Sequence, residues 1–154
     1  MLVPLAAYDA PLILAHYLRL SKEDRYLRFC SALSDYAITR FVNEMMDFAN
    51  GVSFGILSDG ELVGVAYVSP TYESDGRNAA EAGFSIDADH RGEGHASLLM
   101  SAIIGYCRGA HVETLVMSCL RENKRMQKIA RNFGLRVVID REEAYADITF
   151  KDKS

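Results

Sequence analysis

Apolar residues recur at helical spacing through the first fifty positions and shift to strand-like runs from Gly51 onward. Asp9 is placed to cap a helix with Pro11 in its first turn, and Leu12, Ala15 and Leu18 then share one face. Ser21-Lys22-Glu23-Asp24 has the capping-box spacing that starts a second short helix. Ile38, Phe41, Val42 and Met45 predict a third over about 34–48. Val52 to Leu57 reads as a strand, Ser58-Asp59-Gly60 as a hairpin turn and Leu62 to Val68 as the return strand. A polar loop at about 71–78 leads to a strand from Ala80 to Asp87, then to a glycine-punctuated turn. The next helix runs from about Gly94 to Arg108, with Leu99, Ile103, Tyr106 and Cys107 on one face and Gly109 as its stop. A strand at 112–119, a helix at 123–132 stopped by Gly134, and strands near 135–139 and 144–150 complete the chain. Leading helices, a hairpin and a central strand–helix–strand unit make this an α/β (α+β) fold around one mixed sheet.

Composition narrows the function classes. The chain has 154 residues, one ordinary domain without linker or repeat, and 49% of them are hydrophobic. No apolar stretch has the roughly 18–20 residues of a spanning helix, so no membrane partner is expected. A net charge of −4 argues against a general nucleic-acid binder. That charge is uneven: residues 121–136 hold six basic side chains against one acid, Glu122. Such a cluster is either a solvated helix face or a landing site for a small polyanion. Cys30, Cys107 and Cys119 have neither disulfide nor zinc-site spacing, so no metal is expected. The apolar N-terminus lacks a basic leader region and is interrupted by Asp9, which reads as a cytoplasmic protein.

The chemistry concentrates between Ile86 and Leu99. A strand ends there, a loop holding Gly92 and Gly94 follows, and a helix begins. The first N–H groups of a helix have no intrahelical acceptors, and its dipole adds positive potential. Glycines let that backbone approach a bulky anion, and Arg91 adds a charged donor fork. Together they describe a phosphate cradle, unless the glycines merely serve the turn. The P-loop pattern fails because His95-Ala96 follows Gly94, and the dinucleotide pattern fails because Ser97 stands at its third glycine.

Arg91-Gly92-Glu93-Gly94-His95-Ala96 resembles the acetyl-CoA signature of the GNAT family of N-acetyltransferases, Gln or Arg followed by x-x-Gly-x-Gly/Ala. Ala80 to Asp87 resembles that family's fourth strand, with Arg91 ten positions after Glu81. Asn123 opens a helix closing at Phe133-Gly134-Leu135, again similar to the family. The resemblance spans about 52–140, an acetyl-CoA-binding core. The first fifty residues then form a helical, acceptor-side region, in which Glu23 to Phe29 looks faintly like acetyltransferases that act on protein lysines.

The resemblance implies a mostly antiparallel sheet flanked by helices, with fourth and fifth strands splayed apart. It places the pyrophosphate on Gly92, Glu93, Gly94, His95, Ala96 and Ser97, with Arg91 beside it. The pantetheine arm would run along Phe84, Ser85 and Ile86, and an amide near Ser85 or Ile86 would hold the thioester carbonyl. Asn123 would contact the arm, and Lys128 and Arg131, with Lys124, would reach the 3′-phosphate. Glu81, part-buried and with a raised pKa, would be the general base for transfer to a primary amine, either a small molecule or a protein lysine. A catalytically weak acyl-CoA-binding regulatory module is the alternative, because Ala130 stands where the family often carries a tyrosine acid. Ser118, Cys119, Tyr145 or water are the substitutes. The resemblance also implies a homodimer paired through the C-terminal strands. His16 and His111 receive no role; His90 and His95 line the loop or face solvent.

Overall fold

A computed structural model describes residues 1–47, 51–72 and 76–150. Strand β1 (Leu2–Leu5) precedes helices α1 (Ala10–Arg19), α2 (Lys22–Phe29) and α3 (Asp35–Asp47). Strands β2 (Val52–Ser58), β3 (Glu61–Tyr72) and β4 (Asn78–Ile86) follow. Helix α4 (His95–Gly109), β5 (Thr114–Leu120), α5 (Lys124–Asn132), β6 (Arg136–Asp140) and β7 (Glu143–Thr149) complete the order. The seven strands form one sheet in the order β1-β2-β3-β4-β5-β7-β6. Among the described residues β4–β5 is the parallel pair and every other pair is antiparallel.

Alternation along the strands gives the sheet two apolar faces. Val65 and Tyr67 face α1 and α3, packing with Ile13, Tyr17, Ile38, Val42 and Met45. Ala66, Val68, Ala82 and Ile86 face α4, packing with Leu99, Met100 and Ile103. The 58–60 turn has positive φ at both Asp59 (49°) and Gly60 (80°), as a tight hairpin requires.

The N-terminal region departs from the sequence pattern in three places. Asp9 stands at the N-cap position of α1 with Pro11 in the first turn, but its side chain does not cap the helix; its Oδ2 accepts the N–H of Ala6 at 2.8 Å. The buried face of α1 is Ile13, His16, Tyr17 and then Leu20, while Leu18 is exposed. The first fifty residues also include a strand, β1, which lies at the edge of the sheet. Met1 exchanges hydrogen bonds with Leu57 (2.9 and 2.8 Å), so odd positions bond to β2 and even ones point outward. Pro4 therefore turns its missing donor toward solvent, where an edge strand tolerates it. The last residue of the third predicted helix, 48, lies outside the described residues, as does most of the loop before β4.

Candidate active site

The site starts where β4 and β5 part. They pair only at Ala79–Thr114, Ala80–Leu115 and Glu81–Val116, although both strands continue. The N–H of Asp87 bonds the carbonyl of Val63 on β3 at 2.7 Å, and the carbonyl of Asn78 accepts from Glu113 beside β5 at 2.8 Å. Backbone direction alternates along a strand. The N–H groups of Phe84 and Ile86 therefore point toward β5, into the gap. By the same alternation the amide of Ser85 turns to β3, opposite Val65, and is not available to a ligand in the gap. A cavity of about 590 Å³ occupies this opening and continues over the loop before α4.

That loop has the geometry of an anion cradle. Gly92 and Gly94 have φ of 81° and 84°, and a side chain at either would meet nothing within 4 Å. Conformation, not crowding, requires glycine there. No side chain caps α4, whose first helical bond runs from Leu98 N–H to the Gly94 carbonyl at 3.2 Å. The N–H groups of His95, Ala96 and Ser97 are thus left at the positive end of a 15-residue helix. Gly92, Gly94, His95, Ala96 and Ser97 all line the cavity. Glu93 lies outside that lining, its carboxylate taken by His90 Nδ1 (3.2 Å) and His95 Nε2 (2.8 Å), which hold its pKa below the usual carboxylate value. The donor atoms of these three side chains lie within 4.8 Å of one another, at the surface. Arg91 lines the cavity while its guanidinium pairs with Asp24 of α2 at 2.8 Å.

On the other side of β4, facing α1 and α2, stand Glu81, Gly83 and Ser85. Glu81 lines the cavity but is exposed, not part-buried as expected. Gly83 leaves room for Arg28, whose guanidinium would lie 3.0 Å from any Cβ there. Arg28 also stacks over Phe29 and Phe41 (4.8 and 5.8 Å to the ring centres).

His16, given no role from the sequence, lies at this wall. It is fully buried, with Nε2 2.7 Å from Ser85 Oγ. Its Nδ1 lies 3.1 Å from the Leu62 carbonyl and 2.8 Å from Asp87 Oδ1. The ring N–H aims at the carbonyl. Asp87 Oδ1 has no linear hydrogen bond, so its hold on the ring is electrostatic. Asp87 Oδ2 meets Arg19 at 3.1 Å. Burial opposes ionisation of Asp87, but His16 and Arg19 outweigh it and lower its pKa. The sequence signal was the alternation along β4, with Glu81, Ser85 and Asp87 polar between apolar Ala82, Phe84 and Ile86.

Across the gap, Asn123 lines the cavity while its side chain caps α5, accepting from Met126 N–H at 3.2 Å. Lys128 and Arg131 are exposed on α5 and outside the cavity wall; Arg125 lines it instead. Met126 and Ile129 occupy the inward face of α5, which turns positions 128 and 131 away. Ala130 is fully buried in the core. Ser118 and Cys119 line the cavity, and Tyr145 does not. Burial pushes the Cys119 thiol up to about 11.

Solved structures share this architecture. The GNAT domain of Streptomyces lividans PAT matches with 21% identity and a TM-score of 0.82, covering 97% of this chain and 89% of that one. A ribosomal-protein-alanine N-acetyltransferase from Brucella melitensis has 14% identity, a TM-score of 0.76 and coverage of 97% and 99%. YncA of Salmonella typhimurium, with its cofactor acetyl-CoA, has 11% identity, a TM-score of 0.75 and coverage of 100% and 95%. At such identities the likeness speaks for the fold. No curated protein matches the chain by sequence. The model of the Acetyltransferase (GNAT) family matches residues 16–135, most of the chain, which therefore belongs to that family.

Proposed function

We propose that this protein transfers an acetyl group from acetyl-CoA to a primary amine by direct attack in a ternary complex. The observation that carries the reading is one cavity joining two sets of unused backbone donors. The N–H groups of His95, Ala96 and Ser97 at the α4 terminus suit a pyrophosphate, with Gly92 and Gly94 leaving the backbone open to it. Those of Phe84 and Ile86 suit the amides of a pantetheine arm. An N–H in that row, at Phe84 or Ile86, is placed to hold the thioester carbonyl and stabilise the oxyanion as the amine attacks. Acetyl-CoA supplies the activated acyl group, and a thiol of pKa near 8.5 is a tolerable leaving group. Asn123 and Arg125 stand on the α5 side of the same space.

An alkylamine of pKa near 10.4 must lose a proton before attack. Glu81, in the cavity wall on the face toward α1 and α2, takes it directly or through water. The first fifty residues supply the acceptor side through Arg28, Phe29 and Phe41. Free cysteines suit a cytoplasmic setting, and the exposed Val138 and Ile139 of edge strand β6 suit pairing of two copies. The second reading, a CoA-binding module without catalysis, is favoured by Ala130, buried in the core at the position where the family often carries a tyrosine acid. E81Q separates the two when acetyl transfer is followed over a panel of amines, polyamines and lysine peptides. An enzyme loses about 10²–10⁴-fold in rate with acetyl-CoA binding retained. Unchanged transfer would remove Glu81 from the mechanism, and no transfer by the native protein to any amine would favour the module.

A further inference from the structure

Ser85 Oγ and His16 Nε2 stand as a nucleophile and its base, with the Asp87 carboxylate beside the ring. We propose that Ser85 Oγ attacks acyl thioesters held in the cavity, so that the protein cleaves the donor through an O-acyl-serine even when no amine is bound. The donor assigned here rests on the acetyl-CoA reading; the nucleophile does not.

The proton placement follows from the acceptors. Both neighbours of His16 Nδ1, the Leu62 carbonyl and Asp87 Oδ1, can only accept. Nδ1 therefore carries the proton, and a neutral ring turns its Nε2 lone pair to Ser85 Oγ at 2.7 Å. The hydroxyl then donates to the base, the arrangement that activates a serine. His16 is wholly buried, Asp87 is pinned by Arg19, and Ser85 lines the cavity. The N–H of Ile86, the next residue, points into the gap where an oxyanion would form.

In the first half-reaction Oγ bonds to the thioester carbonyl carbon and its proton passes to His16 Nε2. The tetrahedral adduct collapses, the C–S bond breaks, and sulfur leaves with the electron pair and takes the Nε2 proton. Free thiol and O-acetyl-Ser85 result. Water then attacks the ester and gives its proton to Nε2. The C–Oγ bond breaks, Oγ recovers the proton from Nε2, and acetic acid leaves, releasing its remaining proton to solvent as acetate. Ser85 is the catalytic residue of this step. His16 is its base and carries the proton to the leaving sulfur and from the attacking water, and Asp87 acts through His16.

The test uses two acyl donors, acetyl-CoA and p-nitrophenyl acetate, without amine. Acid-quenched protein is weighed intact and after digestion, and release of CoA or nitrophenol is followed alongside calorimetric CoA binding. The proposal expects one acetyl group on Ser85, or donor cleavage that S85A abolishes. S85C should restore the adduct as a hydroxylamine-labile thioester. A sulfonyl fluoride should label Ser85, and H16Q should lose that labelling while keeping its melting temperature within a few degrees and its CoA binding. A purely structural serine would not be labelled at all. An adduct from p-nitrophenyl acetate but not from acetyl-CoA supports the nucleophile and removes the donor assigned above. CoA binding with no adduct, and with no Ser85-dependent cleavage of either donor, overturns the proposal and leaves the acetyltransferase reading standing.

Discussion

Gly94 and Gly60 have nearly the same backbone conformation, φ of 84° and 80°, and a Cβ at either would touch nothing within 4 Å. Alanine at either position meets only conformational strain. The left-handed region costs a non-glycine residue about 1–2 kcal/mol, offset by about 0.4–1 kcal/mol of lost unfolded-state freedom. A net loss of about 1 kcal/mol lowers the melting temperature of a domain this size by about 2–4 °C. G94A and G60A should therefore melt alike. They should differ in binding. Gly94 lies at the uncapped start of α4, while Gly60 lies in the β2–β3 turn, outside the cavity wall. A methyl group at 94 holds a phosphate away from the loop and costs one charge-assisted hydrogen bond, about 1.5–3 kcal/mol. That is a roughly tenfold to hundredfold weaker affinity for CoA. Calorimetric titration of both variants, with melting curves on the same samples, makes the comparison. G94A binding CoA as tightly as G60A would refute the cradle, and a large difference in melting would refute the assumption of equal strain.

Acid stability should depend on Asp87. Its folded pKa lies below the ordinary 3.8, so its contribution is complete above that value and is lost as pH falls through the lower folded one. D87N should remove this acid-side loss, flattening the denaturant midpoint against pH below about 4; an unchanged curve would contradict the pairing with His16 and Arg19. Thiol reactivity should be graded. Burial pushes Cys107 and Cys119 up to about 11 while Cys30 is exposed, so alkylation at neutral pH should label Cys30 first and all three only in denaturant. Rapid labelling of Cys107 in the native protein would contradict its place on the buried face of α4.

The fold was legible wherever a periodic pattern met a turn residue. Ser21 caps α2, its Oγ accepting from Asp24 N–H at 3.0 Å, and Asp59-Gly60 makes the hairpin, as the spacing implied. Strand β1 escaped because Pro4 argues against a strand unless its neighbours are known, and only the pairing with β2 shows which way it points. The cradle could be read locally, since a strand end, two glycines and a helix start adjoin in sequence. The His16–Ser85 contact could not, because it closes 69 residues of chain and depends on which face of α1 is buried. The same rotational uncertainty hid that Lys128 and Arg131 lie outside the cavity wall and that Arg125 lines it. Glu81 was located by strand position, but its exposure depends on how far β5 diverges, which no local pattern encodes.

Calorimetric titration of acetyl-CoA, CoA and ATP into the native protein and R91A tests whether the loop before α4 and the gap beside β4 hold CoA. Acetyl-CoA and CoA should bind saturably and ATP much more weakly, since ATP lacks an arm to fill the gap between β4 and β5. Arg91 lines the loop while paired with Asp24, so R91A should weaken CoA binding without abolishing it. No binding of CoA, or ATP binding as tightly as CoA, would contradict the cradle and leave Gly92 and Gly94 as residues of an ordinary turn.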